Sequence, residues 1–590
     1  EEITVLDPTC GSGAFLFAAV NILEPLYEAC LDRMKAFMLE WSQADKVPHP
    51  NYYKDFAEVI ARVDKHPNEK YFIFKSIIIR NLFGVDIMDE AVEICKLRLF
   101  LKLAAQIEPD YAQDNLGIEP LPDIDFNIRA GNTLVGFATK KQAEDVILQD
   151  LLGYQTVWPE VQREAEEIAE LFKLFRQQQT EIGGAVSAAD KQRLRDKLTP
   201  LEARLNTYLA STYDITDQKG IKNWIRSHKP FHWFIEFYEI MQKGGFDAII
   251  GNPPYVEYKD VRSSYQVRNY LTTDCSNLFA FIVERCTFLG SPDSRIGMII
   301  PLSAFSTDRM TPLIQHFERS SRSLHISHFG WRPGKLFDGV NLQLSIMLQS
   351  LGSPCSSIHT TRYLLWDSEA RPELFSKIEY VNVTDKTLPG SIPKLGTNTA
   401  ASILNKLRNR TTWMGRCLGR HSDRIVYYRR GGLYWKVFVD FATKSSEEKL
   451  LFLDDGIDRY CIISALCSNL WWWYFTITSD CRHLGNRDIF TFPFDPREMV
   501  LTERENLSHL GKEFVRDLQK NAIKAVRVYK ETNSVDCLSF RVSLSKPIID
   551  EIDKVLAKHY GFTEEELDFI INYDIKYRMG RNGDKDEGED

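Results

Sequence analysis

A chain of 590 residues exceeds one ordinary domain, and 44% hydrophobic with 12% aromatic residues is enough to build large cores and excludes global disorder. The net charge of -9 excludes a protein that coats nucleic acid indiscriminately, although a local basic face can still bind it. The 11 cysteines form no C-x-x-C pair and no ladder of short spacings, which excludes a disulfide framework, and no uncharged apolar run reaches the roughly 18 residues of a membrane span.

The chain opens on Ile3-Thr4-Val5-Leu6, a β-branched run that reads as a buried strand. No initiator Met and no signal peptide precede it, so the expectation is a start inside a longer protein. Asp7-Pro8-Thr9-Cys10-Gly11-Ser12-Gly13 follows, and then a helix from Ala14. Strand, glycine turn and helix together open a doubly wound α/β sheet. Helical sequence runs to about residue 75, Leu82–Ile87 predicts a second strand, and Ala91–Ala105 predicts its helix. A third strand is expected near Phe126–Arg129, ending at Gly131-Asn132-Thr133-Leu134. The stretch from about 140 to 245 is charged and helical and reads as an insertion. Phe246–Gly251 predicts the fourth strand, which runs straight into Asn252-Pro253-Pro254-Tyr255. A helix over 278–288, a strand over 295–301 and hairpin-like strands near 324–329 and 342–348 continue the alternation.

Past about 352 the alternation stops and turns and aromatic residues take over, which marks the expected domain boundary. Between Lys406 and Lys436 lie Arg408, Arg410, Arg416, Arg420, Arg424, Arg429 and Arg430, with Asp423 the single acid. Cys461, Cys467, Cys481 and His483 have the wrong spacing for zinc, so no metal is expected. The last residues, Asp584 to Asp590, are mostly acidic.

Three features carry chemistry. Gly11 and Gly13 permit positive φ and a close backbone approach to a ligand, but the G-x-G spacing lacks the third glycine of a nicotinamide fingerprint. Asp86 ends the second strand, where an acid either receives a ribose diol or caps the next helix. Ile87 beside it either packs on a flat base or fills the core. The third feature is Asn252–Tyr255, expected at the carboxyl edge of the sheet, where open α/β sheets place ligands. Pro253 and Pro254 stiffen the turn and add no N–H donors. The Asn252 amide oxygen and the Pro253 carbonyl can accept both hydrogens of an exocyclic amino group. Held that way, the nitrogen turns pyramidal and its lone pair points at an electrophilic methyl carbon. Tyr255 offers a face on which an unstacked base can lie.

Asp7–Gly13 followed by Ile250-Gly251-Asn252-Pro253-Pro254-Tyr255 resembles the amino-methyltransferases of restriction–modification systems, in the order of their gamma class. Gly244–Asp247 and Tyr573-Asp574-Ile575-Lys576-Tyr577-Arg578 are similar to the large fused type IIG enzymes and their phage-defence relatives. The resemblance implies a Rossmann-like doubly wound methyltransferase sheet with helical insertions over 1–352 (about 20–78 and 140–245). A mixed α+β DNA-recognition domain over 353–545 and a helical segment with an acidic tail over 546–590 would follow. It implies that Asp7, Pro8, Cys10, Gly11, Gly13, Asp86, Ile87 and Asn132 bind S-adenosyl-L-methionine, with Asn132 where relatives often carry Asp. Asn252, Pro253, Pro254 and Tyr255 would be catalytic, and Phe337 would lie against a flipped target adenine. Arg408, Arg410, Arg416, Arg420, Arg429 and Arg430 would hold DNA, with Arg482, Arg487 and Trp471–Trp473 adding to that face.

The expected activity is sequence-specific adenine-N6 methylation of double-stranded DNA in the prokaryotic cytoplasm, alone or beside other defence-system subunits. One alternative is the modification half of a fused endonuclease, although no P-D…E-x-K nuclease pattern occurs in these residues. Protein-glutamine or RNA methylation, and a catalytically silent DNA-binding component, are the others.

Overall fold

The computed structural model describes residues 2–43, 49–66, 68–107, 109, 111–112, 121–149, 151–180, 188–353, 355–388, 390–431, 434–443, 445, 447–529 and 532–579. They fall into two compact units: Glu1–Ile300 with Gln315–Leu324 and Ile346–Ser356, and Pro301–Ile314 with His325–Ser345 and Ser357–Asp590. The acidic stretch 584–590 lies outside the described residues.

The first unit begins with β1 (Val5–Asp7), three long helices α1 (Ala14–Ser42), α2 (Pro50–Lys65) and α3 (Glu69–Arg80), then β2 (Leu82–Asp86) and α4 (Asp89–Ala104). β3 (Ile128–Ala130) comes two residues later than its expected start. Asn127 explains the shift. Its side-chain amide donates to the Ile79 and Leu82 carbonyls at 2.9 and 3.0 Å, so that residue anchors the end of α3 instead of starting the strand. The charged stretch folds as α5 (Lys140–Ile147), α6 (Leu151–Thr180), α7 (Ala188–Ser211) and α8 (Gln218–His228), with short α9 (Trp233–Glu236) and α10 (Tyr238–Gln242) leading to β4 (Phe246–Gly251). α11 (Tyr258–Val261), α12 (Leu278–Leu289) and β5 (Gly290–Pro301) follow, then α13 (Thr311–Ser320), β6 (Ser321–Phe329) and β7 (Leu344–Leu351).

The strands order as β3-β2-β1-β4-β5 and then β7 and β6. All four neighbouring pairs from β3 to β5 are parallel. The unit is thus a mixed α/β fold on a large, mostly parallel sheet. Parallel strands are covered on both faces, which is why β1, β2 and β4 read as apolar runs instead of alternating. On one face Val5, Leu82 and Ile128 join Leu16, Val20, Ile77 and Leu99 from α1, α3 and α4. On the other Phe83, Phe237 and Phe246 pack edge to face with centroids 5.5–5.6 Å apart. The helical insertion builds its own core from Trp158, Leu201, Leu205, Trp224 and their neighbours. α1 is long and apolar enough to cross a membrane by length and composition alone (mean hydropathy 1.4). Its Leu16, Ala19, Val20 and Leu31 are buried in the core just described.

In the second unit β8 (Ser357–Leu364) pairs antiparallel with β9 (Val381–Asn382). After α14 (Asn398–Arg408) comes a three-stranded sheet of β10 (Ile425–Arg429), β11 (Phe438–Val439) and β12 (Glu448–Phe452) in the order β11-β10-β12. The helices α15 (Arg459–Cys467), α16 (Asn469–Thr478), α17 (Asn486–Phe490) and α18 (Leu501–Lys520) are next. A hairpin of β13 (Ile523–Tyr529) and β14 (Thr532–Ser539) then leads to α19 (Lys546–Tyr560), α20 (Glu564–Ile571) and α21 (Ile575–Arg578).

The expectation that Trp471–Trp473 adds to a DNA-facing surface is corrected here. All three lie in α16, whose ten residues are all buried, with Trp471 1%, Trp472 7% and Trp473 0% exposed. A helix that is apolar all round belongs in a core. Arg487 is corrected too: its two terminal nitrogens donate to Asp308 Oδ1 and to the Ser306, Gly390 and Thr478 carbonyls of its own unit.

Candidate active site

β1 ends at Asp7, which is 1% exposed, and its Oδ1 accepts the Thr9 N–H at 3.1 Å. Burial pushes its carboxyl up to about 7; the Thr9 N–H opposes the shift and the nearby Asp86 adds to it. The turn that follows needs both glycines. Gly11 and Gly13 have φ of +50° and +80°, and the Gly13 N–H closes on the Cys10 carbonyl at 2.8 Å. A Cβ on Gly13 would lie 2.5 Å from Cys95 Sγ, whereas one on Gly11 would meet nothing within 4 Å. Gly13 thus serves helix packing, and Gly11 faces open space.

Asp86, at the end of β2, spends one lone pair on each oxygen. Oδ2 accepts the Gly11 N–H and Oδ1 the Met88 N–H, both at 2.9 Å. The sequence left two readings for Asp86; it is not the cap of α4, whose N-cap is Met88 without a side-chain cap, and instead it ties the glycine turn to the second strand and holds the Met88 N–H. Its carboxylate retains further lone pairs for another donor. Ile87 is half-buried beside it, and its carbonyl accepts Lys229 Nζ at 3.0 Å. Asn132 is 3% exposed; its Oδ1 accepts the Leu134 N–H at 3.0 Å, leaving Nδ2 buried without a partner. Thr133 Oγ1 donates to the Pro8 carbonyl, which links this segment back to the first turn.

The β4 turn lies beside the β1 turn because β1 and β4 are parallel neighbours. At Gly251 a Cβ would come within 3.0 Å of Asp7 Oδ1, so the glycine lets the two strand ends approach. Asn252 and Pro254 are exposed, Pro253 is buried and Tyr255 is half-buried. The Tyr255 hydroxyl lies 2.5 Å from Asn252 Oδ1 and 2.9 Å from the Ile299 carbonyl on β5. One hydroxyl proton has two acceptors, so the bond can move to Ile299 and release the Asn252 oxygen for a substrate. Burial raises the Tyr255 pKa, which keeps the phenol a neutral donor.

The segment leading to α12 had no motif to mark it, yet it backs the turn. The Tyr258 N–H donates to Ser276 at 2.9 Å, the Leu278 N–H to Val256 at 3.0 Å, and Asn277 Nδ2 to Glu257 Oε1 at 3.2 Å. Glu284, 2% exposed, holds this segment by accepting the Leu271 and Thr272 N–H groups at 3.0 and 2.9 Å and the Thr272 hydroxyl at 2.7 Å. Arg285 Nη2 and the Tyr270 hydroxyl both donate to the Leu134 carbonyl, at 3.0 and 2.9 Å. A polar sequence signal existed here: Glu284-Arg285 is the one charged pair inside an otherwise apolar helix.

Residues 80–333 match the family model described as Eco57I restriction-modification methylase. The match takes in Asp86, Asn132 and Asn252–Tyr255. A Methanocaldococcus jannaschii protein, described as a candidate type II restriction enzyme and methyltransferase, is 27% identical over 350 residues. The alignment covers 52% of this chain and 26% of that protein, so the chain spans about a quarter of this relative's length. Two solved structures are also similar, each at 10% identity. One is a DrdV–DNA complex (TM-score 0.39; 97% of this chain, 65% of that one). The other is the ATP-dependent Type ISP restriction-modification enzyme LlaBIII bound to DNA (TM-score 0.36; 90% and 38%).

The remaining expected residues belong to the second unit. Phe337 is half-buried in the loop between β6 and β7. Among the arginines, Arg408 donates to the Asp385 carbonyl at 3.0 Å, Arg430 to Leu484 at 3.4 Å and Arg429 to Leu538 at 2.5 Å, and Arg410 bonds the His559 carbonyl. Arg416 and Arg420 are exposed, and among the described residues their guanidinium groups make no hydrogen bond or ion pair.

Proposed function

We propose that this chain is a DNA adenine-N6 methyltransferase that uses S-adenosyl-L-methionine. The observation that carries the reading is the juxtaposition of two turns at neighbouring parallel strand ends, one glycine-rich and beside buried Asp7, the other Asn252–Tyr255. The residues present suit the cofactor. Gly11 faces open space, Asp86 keeps free lone pairs for a ribose diol, and Asn132 holds an unpartnered buried donor for a heterocycle acceptor. Asp7, as carboxylate, would attract a cationic amino-acid end. Ile87 would pack on the adenine, and Pro8 and Cys10 would shape the turn.

When bound, the cofactor would supply an electrophilic methyl group. The chain's own part is placement. Tyr255 hands its hydroxyl bond to Ile299, Asn252 Oδ1 and the Pro253 carbonyl accept the two hydrogens of the adenine amino group, and Pro254 keeps the turn stiff. Positioning of this kind contributes up to about 7–11 kcal/mol in favourable cases. Phe337 is proposed as the aromatic against the flipped base. Residues 353–545 are proposed to recognise double-stranded DNA, with Arg416 and Arg420 the arginines freest to contact phosphate and Arg408, Arg410, Arg429 and Arg430 partly committed to their own fold. The setting would be a prokaryotic restriction or phage-defence system in the cytoplasm, with or without further subunits.

The test is full-length protein incubated with labelled cofactor and mixed DNA, followed by nucleoside analysis. Label in N6-methyladenine is expected; label in cytosine, in protein or nowhere sinks the reading. Asn252→Ala should lower kcat by about two to three orders of magnitude, as loss of one well-placed polar contact does at other active sites, with DNA affinity retained. A second reading, the modification half of a fused restriction enzyme, is favoured by the Methanocaldococcus jannaschii relative of which the chain spans 26%. Mg²⁺-dependent cleavage by the full-length protein would establish it.

A further inference from the structure

We propose, resting on the cofactor reading above, that Lys229 is a positioning residue that joins the two loops meant to receive the adenosine of S-adenosyl-L-methionine. Lys229 bonds both loops at once. Its Nζ donates to the Ile87 carbonyl at 3.0 Å and to Asp89 Oδ2 at 2.6 Å, where the chain passes from β2 into α4. Its own carbonyl accepts the Asn132 N–H at 2.8 Å, on the loop that leaves β3. All of these residues belong to the first unit. One loop carries Asp86 and Ile87, and the other carries Asn132, whose Nδ2 is buried without a partner. The side chain and the backbone of Lys229 thus fix the spacing of the two.

The chain leaves α8 at Lys229 in the left-handed region, with φ +44° and ψ +54°. A lysine there brings its Cβ close to the following carbonyl oxygen, and helix ends of this kind usually carry glycine or asparagine. Glycine would relieve that strain and would lose both Nζ bonds. Pro230 then pairs with Asn132 as a parallel bridge, and the Phe231 N–H donates to the Val135 carbonyl at 2.7 Å. Glycines on the β3 loop admit the close approach. A Cβ on Gly131 would lie 2.6 Å from Phe231 Cδ2, and one on Gly136 1.9 Å from the Phe231 carbonyl oxygen. Trp233 Nε1 adds a bond to the Thr133 carbonyl at 3.3 Å. Backbone contacts therefore lay residues 229–233 against the β3 loop, and the Lys229 side chain reaches across to the end of β2.

The two Nζ bonds differ in weight. The Asp89 side chain is 66% exposed and that of Lys229 39%, so water and salt screen their ion pair. The Ile87 carbonyl is a fixed backbone acceptor, and a charged donor gives it a stronger bond than a neutral one. That bond holds the backbone of the residue that would pack on the adenine. A slot whose walls are already held loses less conformational entropy when a flat ring enters it.

Full-length protein is titrated with S-adenosyl-L-homocysteine and with its deaminated analogue S-inosyl-L-homocysteine, and binding is read by calorimetry. Lys229→Met, which keeps the stem and removes both Nζ bonds, should weaken S-adenosyl-L-homocysteine about tenfold, the worth of one hydrogen bond to a charged group. It should also shrink the preference for adenosine over inosine, a ratio that a general loss of folding would leave alone. Lys229→Arg should restore most of both, and Asp89→Asn should weaken binding only about twofold. Lys229→Gly relieves the left-handed strain, so it should unfold no earlier than wild type and still bind as weakly as Lys229→Met. Wild-type affinity in folded Lys229→Met or Lys229→Gly overturns the proposal, and so does an equal loss for the two ligands. Wild-type protein that binds neither ligand sinks the cofactor reading and the role of Lys229 together. Protein that binds S-adenosyl-L-homocysteine through Lys229 but transfers no methyl group to adenine sinks the proposed reaction and leaves the slot standing.

Discussion

Gly11 and Gly13 share a turn and a positive φ, yet their substitutions should fail in different ways. Gly13→Ala drives a Cβ to 2.5 Å from Cys95 Sγ at a φ of +80°, and both terms destabilise. A loss of about 2–4 kcal/mol is expected in denaturant unfolding, partly recovered in the Gly13→Ala, Cys95→Ala pair. Gly11→Ala meets no atom, so its stability cost is only the backbone preference of about 1 kcal/mol, while cofactor affinity should fall sharply. Equal stability losses, or an unaffected affinity, would contradict the assignment of the open side. Asp7 gives a pH signature. Its folded pKa of about 7 exceeds the unfolded value of about 3.9, so the folded state retains a proton that the unfolded chain releases. Its contribution is therefore complete below about pH 4 and is lost as pH rises through 7. A span of about 3 units corresponds to about 4 kcal/mol, and Asp7→Asn should flatten the stability profile across that window.

At the scale of elements, α12 matters more than its apolar sequence suggests. Glu284 accepts three donors from the segment that precedes the helix, and that segment in turn bonds the backbone on either side of Glu257. Glu284→Ala leaves two buried donors of Thr272 and the part-buried Leu271 N–H unmatched and should cost about 2–3 kcal/mol. Hydrogen exchange at Tyr258 and Leu278 should accelerate while β1 and β2 stay protected. Unchanged exchange there would show that the Asn252–Tyr255 turn does not depend on this brace. The same element shows where reading by pattern stops. The period of α12 marks a buried helix, but only the fold says which loop its one acid meets. α16 is the converse case: Trp471-Trp472-Trp473 looked like a surface for bases, although a run without a charge from Asn469 to Thr478 already argued for burial.

The second unit as a whole is closed by residues far apart in sequence. Arg578, 2% exposed, sits with Cζ 3.8 Å from the Trp435 ring centroid and donates to Asn469 Oδ1 at 2.6 Å. Asn469 donates to Asp553, whose carboxyl burial pushes up to about 7. The Tyr577 hydroxyl reaches the Leu365 carbonyl at 2.9 Å, and Lys576 pairs with Asp367 at the same distance. The motif Tyr573–Arg578, noted in the sequence for its resemblance alone, thus ties α20 and α21 to β8, α16 and α19. Arg578→Ala removes the cation from a buried network and should destabilise by about 3–5 kcal/mol. Thermal unfolding of the variant checks it, and a melting temperature equal to wild type would show the clasp to be dispensable.

By itself the sequence determined what depends on near neighbours. A strand followed by a glycine turn, an acid at a strand end and the Asn252–Tyr255 turn are local patterns, so they were legible at their residue numbers. So were the insertion helices, whose periodicity needs no partner. The tertiary structure alone decided what depends on distant groups. It set which strand ends stand side by side, that Asp86 ties β2 to Gly11, and that Glu284 supports the segment behind the Asn252–Tyr255 turn. It also separated Arg487, wholly committed to its own unit, from Arg416, Arg420 and Arg482, whose guanidinium groups remain free among the described residues. The physical reason is that a hydrogen bond is fixed by where its partner's carbonyl or carboxylate lies, and for these residues that partner lies tens to hundreds of positions away.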